Sequence, residues 1–230
     1  MLKGASTMSS FRVRQYQDED REMVKEIFTL GMSEHIPASF VHVLKQPLTQ
    51  MVLMCVFGAL LASSRSFLLP VLAVTLLLAG TRQVVSYLFT SYIDTSLKDD
   101  LSSIQENYLE KRDSCFWVAE SEGRVVAMVA CMPVKGQQGS LELKRMSVQR
   151  SHRSMGIAKA LCKVVADFAH ERGYQTVILY TSVVQTDAQK LYEHMSFKKI
   201  RQFVVPSLIG RLSNFSILEY RLEVQESPGR

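Results

Sequence analysis

An apolar block at residues 47–89 restricts the folds open to this chain more than any other feature of its sequence. Arg65 and Arg82 are its only charged residues, and they separate two long apolar runs. Each run is close to the ~20 residues that span a bilayer. A single span would carry Arg65 near its centre, at a cost of about 2.5–3.5 kcal/mol on insertion scales. The block therefore predicts a hairpin of two membrane helices, about residues 47–63 and 67–88, with Arg65 at its tip.

A second interpretation of the block is a buried amphipathic hairpin in a soluble protein. The chain has 230 residues, which is enough for one domain of ordinary size and an appendage. A domain of that size has little protein with which to cover two apolar helices. The membrane hairpin is the interpretation that the sequence favours.

The residues outside the block alternate between strand and helix patterns. A strand at 11–16 precedes a helix that begins with Asp18 as its N-cap and ends near Gly31. After the block, the patterns predict a helix-capable polar stretch at 99–110, strands at 114–120, 125–132 and 141–148, a helix at 156–171, a strand at 176–180, a helix at 187–195, and strands at 199–205 and 217–224. This order predicts an α/β fold on one central sheet.

Charge and composition exclude several classes of protein. The net charge of +5 and the sequence pI near 9.0 suit an anionic ligand or a negatively charged membrane face. The basic residues are scattered without interleaved aromatic residues, so nucleic acid is not an expected partner. The histidines do not cluster at metal-ligand spacing, so no metal is expected. The four cysteines are interpreted as core thiols. Residues 1–10 are interpreted as a flexible leader, and residues 225–230 as a tail.

The turn between the strand at 141–148 and the helix at 156–171 is the main candidate binding site. It has the pattern R-x-x-G-x-A, from Arg153 to Ala158. A helix N-terminus offers unpaired backbone N–H groups and the positive end of a dipole, and both favour a pyrophosphate. Gly156 and Ala158 are small where a phosphate would approach the backbone. The candidate binding residues are Arg153, Ser154, Met155, Gly156, Ile157 and Ala158.

This turn resembles the acetyl-CoA signature of the GNAT superfamily, [Q/R]-x-x-G-x-[G/A]. Residues 188–197, AQKLYEHMSF, resemble the second helical motif of that superfamily, A-x-x-L-Y-x-x-x-G-F, with Ser196 in place of the usual glycine. The resemblance covers about residues 11–45 and 92–224. It implies a GNAT-type α/β fold, with a mixed central sheet flanked by helices and an inserted transmembrane helical hairpin, and acetyl-CoA as the co-substrate.

The whole chain is also similar to a narrower group, the camello-like N-acetyltransferases. The similarity rests on RQY at 14–16, GMSEH at 31–35, SCFWVAES at 114–121, GIAKAL at 156–161 and the early apolar insertion. It implies a multi-pass enzyme of the endoplasmic reticulum or ER–Golgi membrane. Acceptors described across the group are cysteine S-conjugates, aspartate and protein lysines, and some members are associated with cell adhesion during gastrulation.

The resemblance also implies roles for individual residues. Tyr192 lies where the superfamily places its general acid, and a phenol with an ordinary pKa near 10 can protonate a leaving thiolate. Glu142 lies where several members place a general base. Met146, Ser147 and Val148 would present backbone groups to the pantetheine arm and the thioester oxygen. The alternatives are that Tyr192 only packs on the sheet and that Glu142 is a charge at a strand edge.

The domain layout adds a topological expectation. If residues 11–46 and 90–224 form one domain, both ends of the hairpin at 47–89 lie on the same side of the membrane. Lys45 and Arg82 flank the hairpin on the domain side, which favours a cytosolic catalytic domain. The glycosylation sequon at 214–216 would then be unused.

The expected function is a membrane-bound N-acetyltransferase that acts on a small-molecule amine, most simply a cysteine S-conjugate. The alternatives are a protein lysine acetyltransferase of the secretory pathway and a non-catalytic membrane regulator of cell adhesion. Membrane lipid is an expected partner in each case. The acceptor site is expected near the loops at 93–103 and 133–139 and the C-terminal strands.

Overall fold

A computed structural model describes residues 11–64 and 66–224. We number the helices and strands in chain order: β1 (Phe11–Gln15), α1 (Arg21–Ser33), α2 (Ile36–Leu44), α3 (Pro47–Ser64), α4 (Leu68–Lys98), β2 (Cys115–Ser121), β3 (Arg124–Pro133), β4 (Ser140–Val148), α5 (Ile157–Glu171), β5 (Thr176–Ser182), α6 (Thr186–His194), β6 (Lys198–Val204), α7 (Leu208–Leu212) and β7 (Ser216–Glu223).

The strands form one mixed sheet in the order β1-β2-β3-β4-β5-β7-β6. Neighbours pair antiparallel except β4 and β5, which are parallel. The turn between β2 and β3 has φ values of 51° at Glu122 and 74° at Gly123, and the glycine fits the left-handed backbone expected there. The predicted α/β fold on a single central sheet is confirmed.

Apolar side chains cover both faces of the sheet. On one face, α5 and α6 pack on alternate residues of β2–β5, with Leu161, Val165 and Val177 fully buried. On the other face, α1 and the end of α4 pack on Phe116, Val118 and other residues of β2 and β3. Burial of one such side chain stabilises the fold by about 1.5–3 kcal/mol. Because β1 pairs with β2, the residues before the apolar block belong to the same sheet as those after it.

The apolar block forms two helices, α3 and α4. By length and composition, α3 and α4 could each cross a membrane, with mean hydropathies of 1.6 and 1.8 over their most apolar 18 residues. None of these residues in α3, and 11% of them in α4, are buried. The predicted start of the hairpin agrees with α3, and the prediction for Arg65 lies outside the described residues.

Three local predictions were wrong. The second apolar helix continues to Lys98 instead of ending at residue 88, because its last turns pack on α1. The stretch at 99–110 forms only a π-helical turn, Gln105–Leu109. Asp18 does not cap α1: it begins a 3-10 turn (Asp18–Asp20), and Asp20 is the residue before the helix. The short helices α2 and α7 were not predicted.

Candidate acetyl-CoA site

The parallel strands β4 and β5 separate after four paired residues. Their ladder runs from Ser140 opposite Thr176 to Leu143 opposite Leu179. Beyond it, β4 remains paired with β3 as far as Val148, and β5 remains paired with β7 as far as Ser182. The two strands therefore leave an opening whose β4 side includes Met146, Ser147 and Val148, the residues predicted to bind the pantetheine arm.

The turn after β4 carries the predicted pyrophosphate site. Ser154 and Gly156 both have left-handed backbones, with φ of 64° and 83°. Gly156 is the N-cap of α5, and the first helical hydrogen bond runs from the Ala160 N–H to the Gly156 carbonyl at 3.0 Å. The earlier N–H groups of α5 belong to the first turn, which has no intrahelical acceptors. This backbone suits the pyrophosphate of acetyl-CoA.

Arg153 lies across the end of β4. Its Nε donates to the Val148 carbonyl at 3.0 Å, and its Nη1 pairs with Glu34 at 2.7 Å. The side chain is 44% exposed, so it can reach an anion bound from solvent. The contact with Glu34 joins the α1–α2 turn to the predicted pyrophosphate site.

The α1–α2 turn also reaches the other side of the opening, through His35. The Oε1 of Gln185, before α6, accepts hydrogen bonds from Thr181 and from Ser182. This arrangement fixes the Gln185 amide so that its Nε2 donates to His35 Nε2 at 3.0 Å. Burial lowers the pKa of His35, so a neutral imidazole is favoured.

His35 was missed as a site residue because its partner is 150 residues away in the sequence. The only signal was its place in the GMSEH segment that resembles the camello-like group. Glu34 and His35 together span the opening, from the pyrophosphate turn after β4 to the loop after β5.

Tyr192 is buried on the α5 face of the sheet. Its ring lies 5.8 Å from that of Phe197 and 6.1 Å from that of Tyr220. Tyr220 pairs with Leu179, the last residue of β5 in the β4–β5 ladder, so Tyr192 lies near the level at which the strands separate. Burial, and to a lesser extent the Cys162 thiol, raises the pKa of Tyr192 well above its usual value. The phenol therefore keeps its proton at neutral pH.

The helical motif that carries Tyr192 ends in a sharp turn despite the missing glycine. Ser196 adopts a left-handed backbone, with φ of 67°. The Phe197 N–H donates to the Tyr192 carbonyl at 3.0 Å and closes the turn. The serine therefore keeps the turn that the superfamily motif usually forms with glycine.

Glu142 lies in the paired part of β4, opposite Ile178 of β5. It is half-buried, and it lies close enough to Tyr180 to contribute to raising the pKa of that phenol, which burial raises most. Strand β7, which pairs with β5, carries Glu219, a buried carboxylate that pairs with Arg201 of β6 at 2.5 Å. These polar groups make the strands next to Glu142 a candidate acceptor surface.

The loop at 134–139 lies at the other end of β4 from the pyrophosphate turn. The paired segment of β4, from Ser140 to Leu143, separates this loop from the opening, which begins beyond Leu143. The loop therefore does not border the opening, contrary to the expectation for the acceptor site. Within residues 11–64 and 66–224, no group of three or more His, Cys, Asp or Glu side chains is placed to hold a metal ion.

Comparisons with known proteins agree with this geometry. A family model described as "Acetyltransferase (GNAT) family" matches residues 82–197. N-acetyltransferase 8F1 of Mus musculus is 39% identical over 217 residues, which cover 93% of this chain and 97% of the mouse protein. N-acetyltransferase 8B of Homo sapiens is 40% identical over 198 residues, which cover 85% of this chain and 87% of the human protein.

Solved structures show the same fold. A GNAT-family acetyltransferase from Staphylococcus aureus Mu50 aligns with a TM-score of 0.58 and 17% identity, over 94% of this chain and 100% of the bacterial one. The fold and the matched family define a GNAT acetyltransferase, a class that uses acetyl-CoA as the acetyl donor. The chain belongs to the N-acetyltransferase 8 family, as the camello-like resemblance predicted, and it is an N-acetyltransferase.

Proposed function

We propose that this chain is a membrane-bound enzyme that transfers the acetyl group of acetyl-CoA to the primary amine of a cysteine S-conjugate. The observation that carries the proposal is the opening between β4 and β5, which leads to the left-handed turn at the N-terminus of α5. In this arrangement, Arg153 to Ala158 would hold the pyrophosphate. Met146, Ser147 and Val148 would hold the pantetheine arm along β4.

The proposed reaction is direct transfer. The neutral amine attacks the thioester carbon, a C–N bond forms, and the C–S bond breaks. A backbone N–H of β4 polarises the carbonyl oxygen. Tyr192 donates its proton to the leaving thiolate, and Glu142 takes the proton of the amine, directly or through water. The raised pKa of Tyr192 keeps the phenol protonated at neutral pH.

A cysteine S-conjugate suits the setting of the site. Such a molecule joins a charged amino-acid end to an apolar substituent, and it therefore concentrates at a membrane surface. The unburied apolar helices α3 and α4 support membrane attachment, and the net charge of +5 favours anionic substrates.

Turnover by the full-length protein in lipid nanodiscs tests the proposal. Release of free CoA thiol should depend on S-benzyl-cysteine and should exceed the release with aspartate or a lysine peptide. Arg153→Ala should raise the KM for acetyl-CoA, whereas Arg124→Ala, at the exposed start of β3, should not. A clear preference for the lysine peptide would instead support protein acetylation. No amine-dependent thiol release would contradict the proposal.

We also propose that α3 and α4 form a membrane hairpin in the endoplasmic reticulum or a neighbouring membrane, with the catalytic domain in the cytosol. Both ends of the hairpin lead into the same sheet, which requires an even number of crossings. In sealed microsomes, added protease should digest the C-terminal domain. Protection of that domain until detergent is added would contradict the cytosolic orientation.

A further inference from the structure

Helix α4 is longer than a membrane span requires. Its 31 residues rise about 46 Å at about 1.5 Å per residue, whereas a bilayer core is about 30 Å thick. About ten residues at its C-terminal end therefore extend beyond the span. This extension packs on α1, with the Tyr92 ring 6.2 Å from that of Phe28.

The extension meets β4 at a bulge that contains Arg145. Met128 pairs with Ser147, and Ala130 pairs with Lys144. One residue of β3, Val129, therefore lies opposite two residues of β4, Arg145 and Met146. Arg145 has a left-handed backbone, with φ of 57°, which is unfavourable for a non-glycine residue. Contacts of the side chain must offset that cost. Bulges also bend a strand and redirect the residues that follow, so the same contacts affect the direction of the residues after Arg145.

The Arg145 side chain supplies those contacts, and most of them lie on or just after α4. Its Nε and Nη2 pair with both oxygens of Asp100 at 2.9 and 2.5 Å. Its Nη1 donates to Tyr92 Oη and Ser96 Oγ, each at 3.0 Å. The guanidinium also stacks on the Phe28 ring, 4.9 Å from its centroid. One side chain thus connects the bulge to α1, α4 and the segment after α4.

The ion pair is buried and fully hydrogen-bonded. The side chains of Arg145 and Asp100 are 9% and 10% exposed, and Tyr108 also donates to Asp100. Burial alone would raise the pKa of Asp100, but the guanidinium outweighs burial and lowers it. Removal of one partner would leave the other charged and buried, which is far more costly than the loss of a surface pair.

We infer that Arg145 is a positioning residue for acetyl-CoA: by clamping the β4 bulge to the extension of α4, it sets the direction of Met146, Ser147 and Val148. The inference rests on the proposed function, because those three residues are the proposed pantetheine strand. The C-terminal end of the proposed membrane helix then supports the acetyl-CoA site, and acetyl-CoA affinity depends on the positions of Tyr92 and Ser96 on α4.

Acetyl-CoA affinity of the full-length protein in nanodiscs tests this inference. Arg145→Lys keeps the charge but loses the bidentate geometry, and it should weaken acetyl-CoA binding about tenfold while the acceptor KM changes less than about twofold. Asp100→Asn should have a similar effect. The double variant should bind within about twofold of either single variant, because both changes break the same clamp.

Arg172→Lys is a control at a more exposed arginine, whose side chain is 51% exposed. Arg172 also pairs with a carboxylate, that of Asp113 at 3.3 Å, and stacks on an aromatic ring, that of Phe168 at 5.1 Å. It lies at the C-terminal end of α5, away from the pyrophosphate turn, so its replacement should leave acetyl-CoA affinity unchanged.

Wild-type acetyl-CoA affinity in a folded Arg145→Lys variant would overturn the inference and leave the proposed function intact. If that variant does not fold, Tyr92→Phe and Ser96→Ala each remove a single contact, and each should weaken acetyl-CoA binding about two- to threefold. Unchanged affinity in both would likewise overturn the inference. Failure of the wild-type protein to bind acetyl-CoA would instead contradict the proposed function.

Discussion

Gly156→Ala should reduce acetyl-CoA affinity through the conformation of the backbone. Gly156 has φ of 83°, and a Cβ at this position would have no protein atom within 4 Å. The substitution therefore creates no steric clash within the protein, and a clash with the bound pyrophosphate is the second reason for a glycine here. The left-handed backbone costs an L-residue about 1–2 kcal/mol. If the turn relaxes in the free variant and must be restored for binding, that cost corresponds to roughly 5–30-fold weaker acetyl-CoA binding.

Gly123→Ala provides a control with the same backbone cost. Gly123 has φ of 74°, also with no atom within 4 Å of a built Cβ, but it lies in the β2–β3 turn. Gly123→Ala should lower the free energy of unfolding by about 1 kcal/mol, after partial compensation by a less flexible unfolded chain. Gly156→Ala should lower it by less, because the relaxed turn shifts the cost to the binding of acetyl-CoA. Only Gly156→Ala should alter the acetyl-CoA dissociation constant, measured by isothermal titration calorimetry in nanodiscs.

Gly156→Asn separates the two reasons for a glycine at this position. Asparagine tolerates the left-handed region better than alanine. If backbone conformation is the main requirement, the asparagine variant should recover most of the affinity that alanine loses. Equal effects of Gly156→Ala and Gly123→Ala on acetyl-CoA binding would refute the reasoning, because the pyrophosphate turn would then have no special role.

Two further predictions concern the surroundings of the opening. A Cβ on Gly31 would overlap the Oγ of Ser147, so Gly31→Ala should destabilise the wild-type protein. In a Ser147→Ala variant the overlapping atom is absent, and Gly31→Ala should stabilise the protein by about 0.5–1 kcal/mol through helix propensity. Chemical denaturation of the wild type, the two single variants and the double variant would show whether the effect of Gly31→Ala on stability changes sign. Because burial lowers the pKa of His35, the unfolded chain takes up this proton first as pH falls, so stability should decrease as pH falls through about 6.5. In His35→Gln this part of the pH dependence should disappear from the melting temperature, and an identical pH profile would contradict the assignment.

The sequence predicted the features that depend on neighbouring residues. The start of the hairpin follows from a long apolar run. The strands along the chain and the helix at 157–171 follow from apolar periodicity over a short stretch. The R-x-x-G-x-A turn was predicted because its glycine and its helix start lie within six residues. Of the two helices that were not predicted, α7 has only five residues, which is too few for a clear period.

The features that the sequence did not reveal depend on distant contacts. Arg145 appeared only as one charge in a strand, because its partners Ser96 and Asp100 lie 49 and 45 residues away. The same separation hid the extension of α4, where Tyr92 and Ser96 accept hydrogen bonds from Arg145 of β4. His35 and Glu34 became site residues only when the α1–α2 turn was seen to span the separated strands.

Single-turnover kinetics of Tyr192→Phe test most directly whether acetyl transfer takes place at the opening between β4 and β5. Loss of the proton donor should lower the rate of CoA thiol release by roughly 10²–10⁴-fold, with acetyl-CoA affinity within about twofold of wild type. Tyr16→Phe is the control, since Tyr16 is a buried tyrosine of the opposite core cluster, and it should retain the wild-type rate. An unchanged rate in Tyr192→Phe would remove this residue from the chemistry and contradict the proposed mechanism.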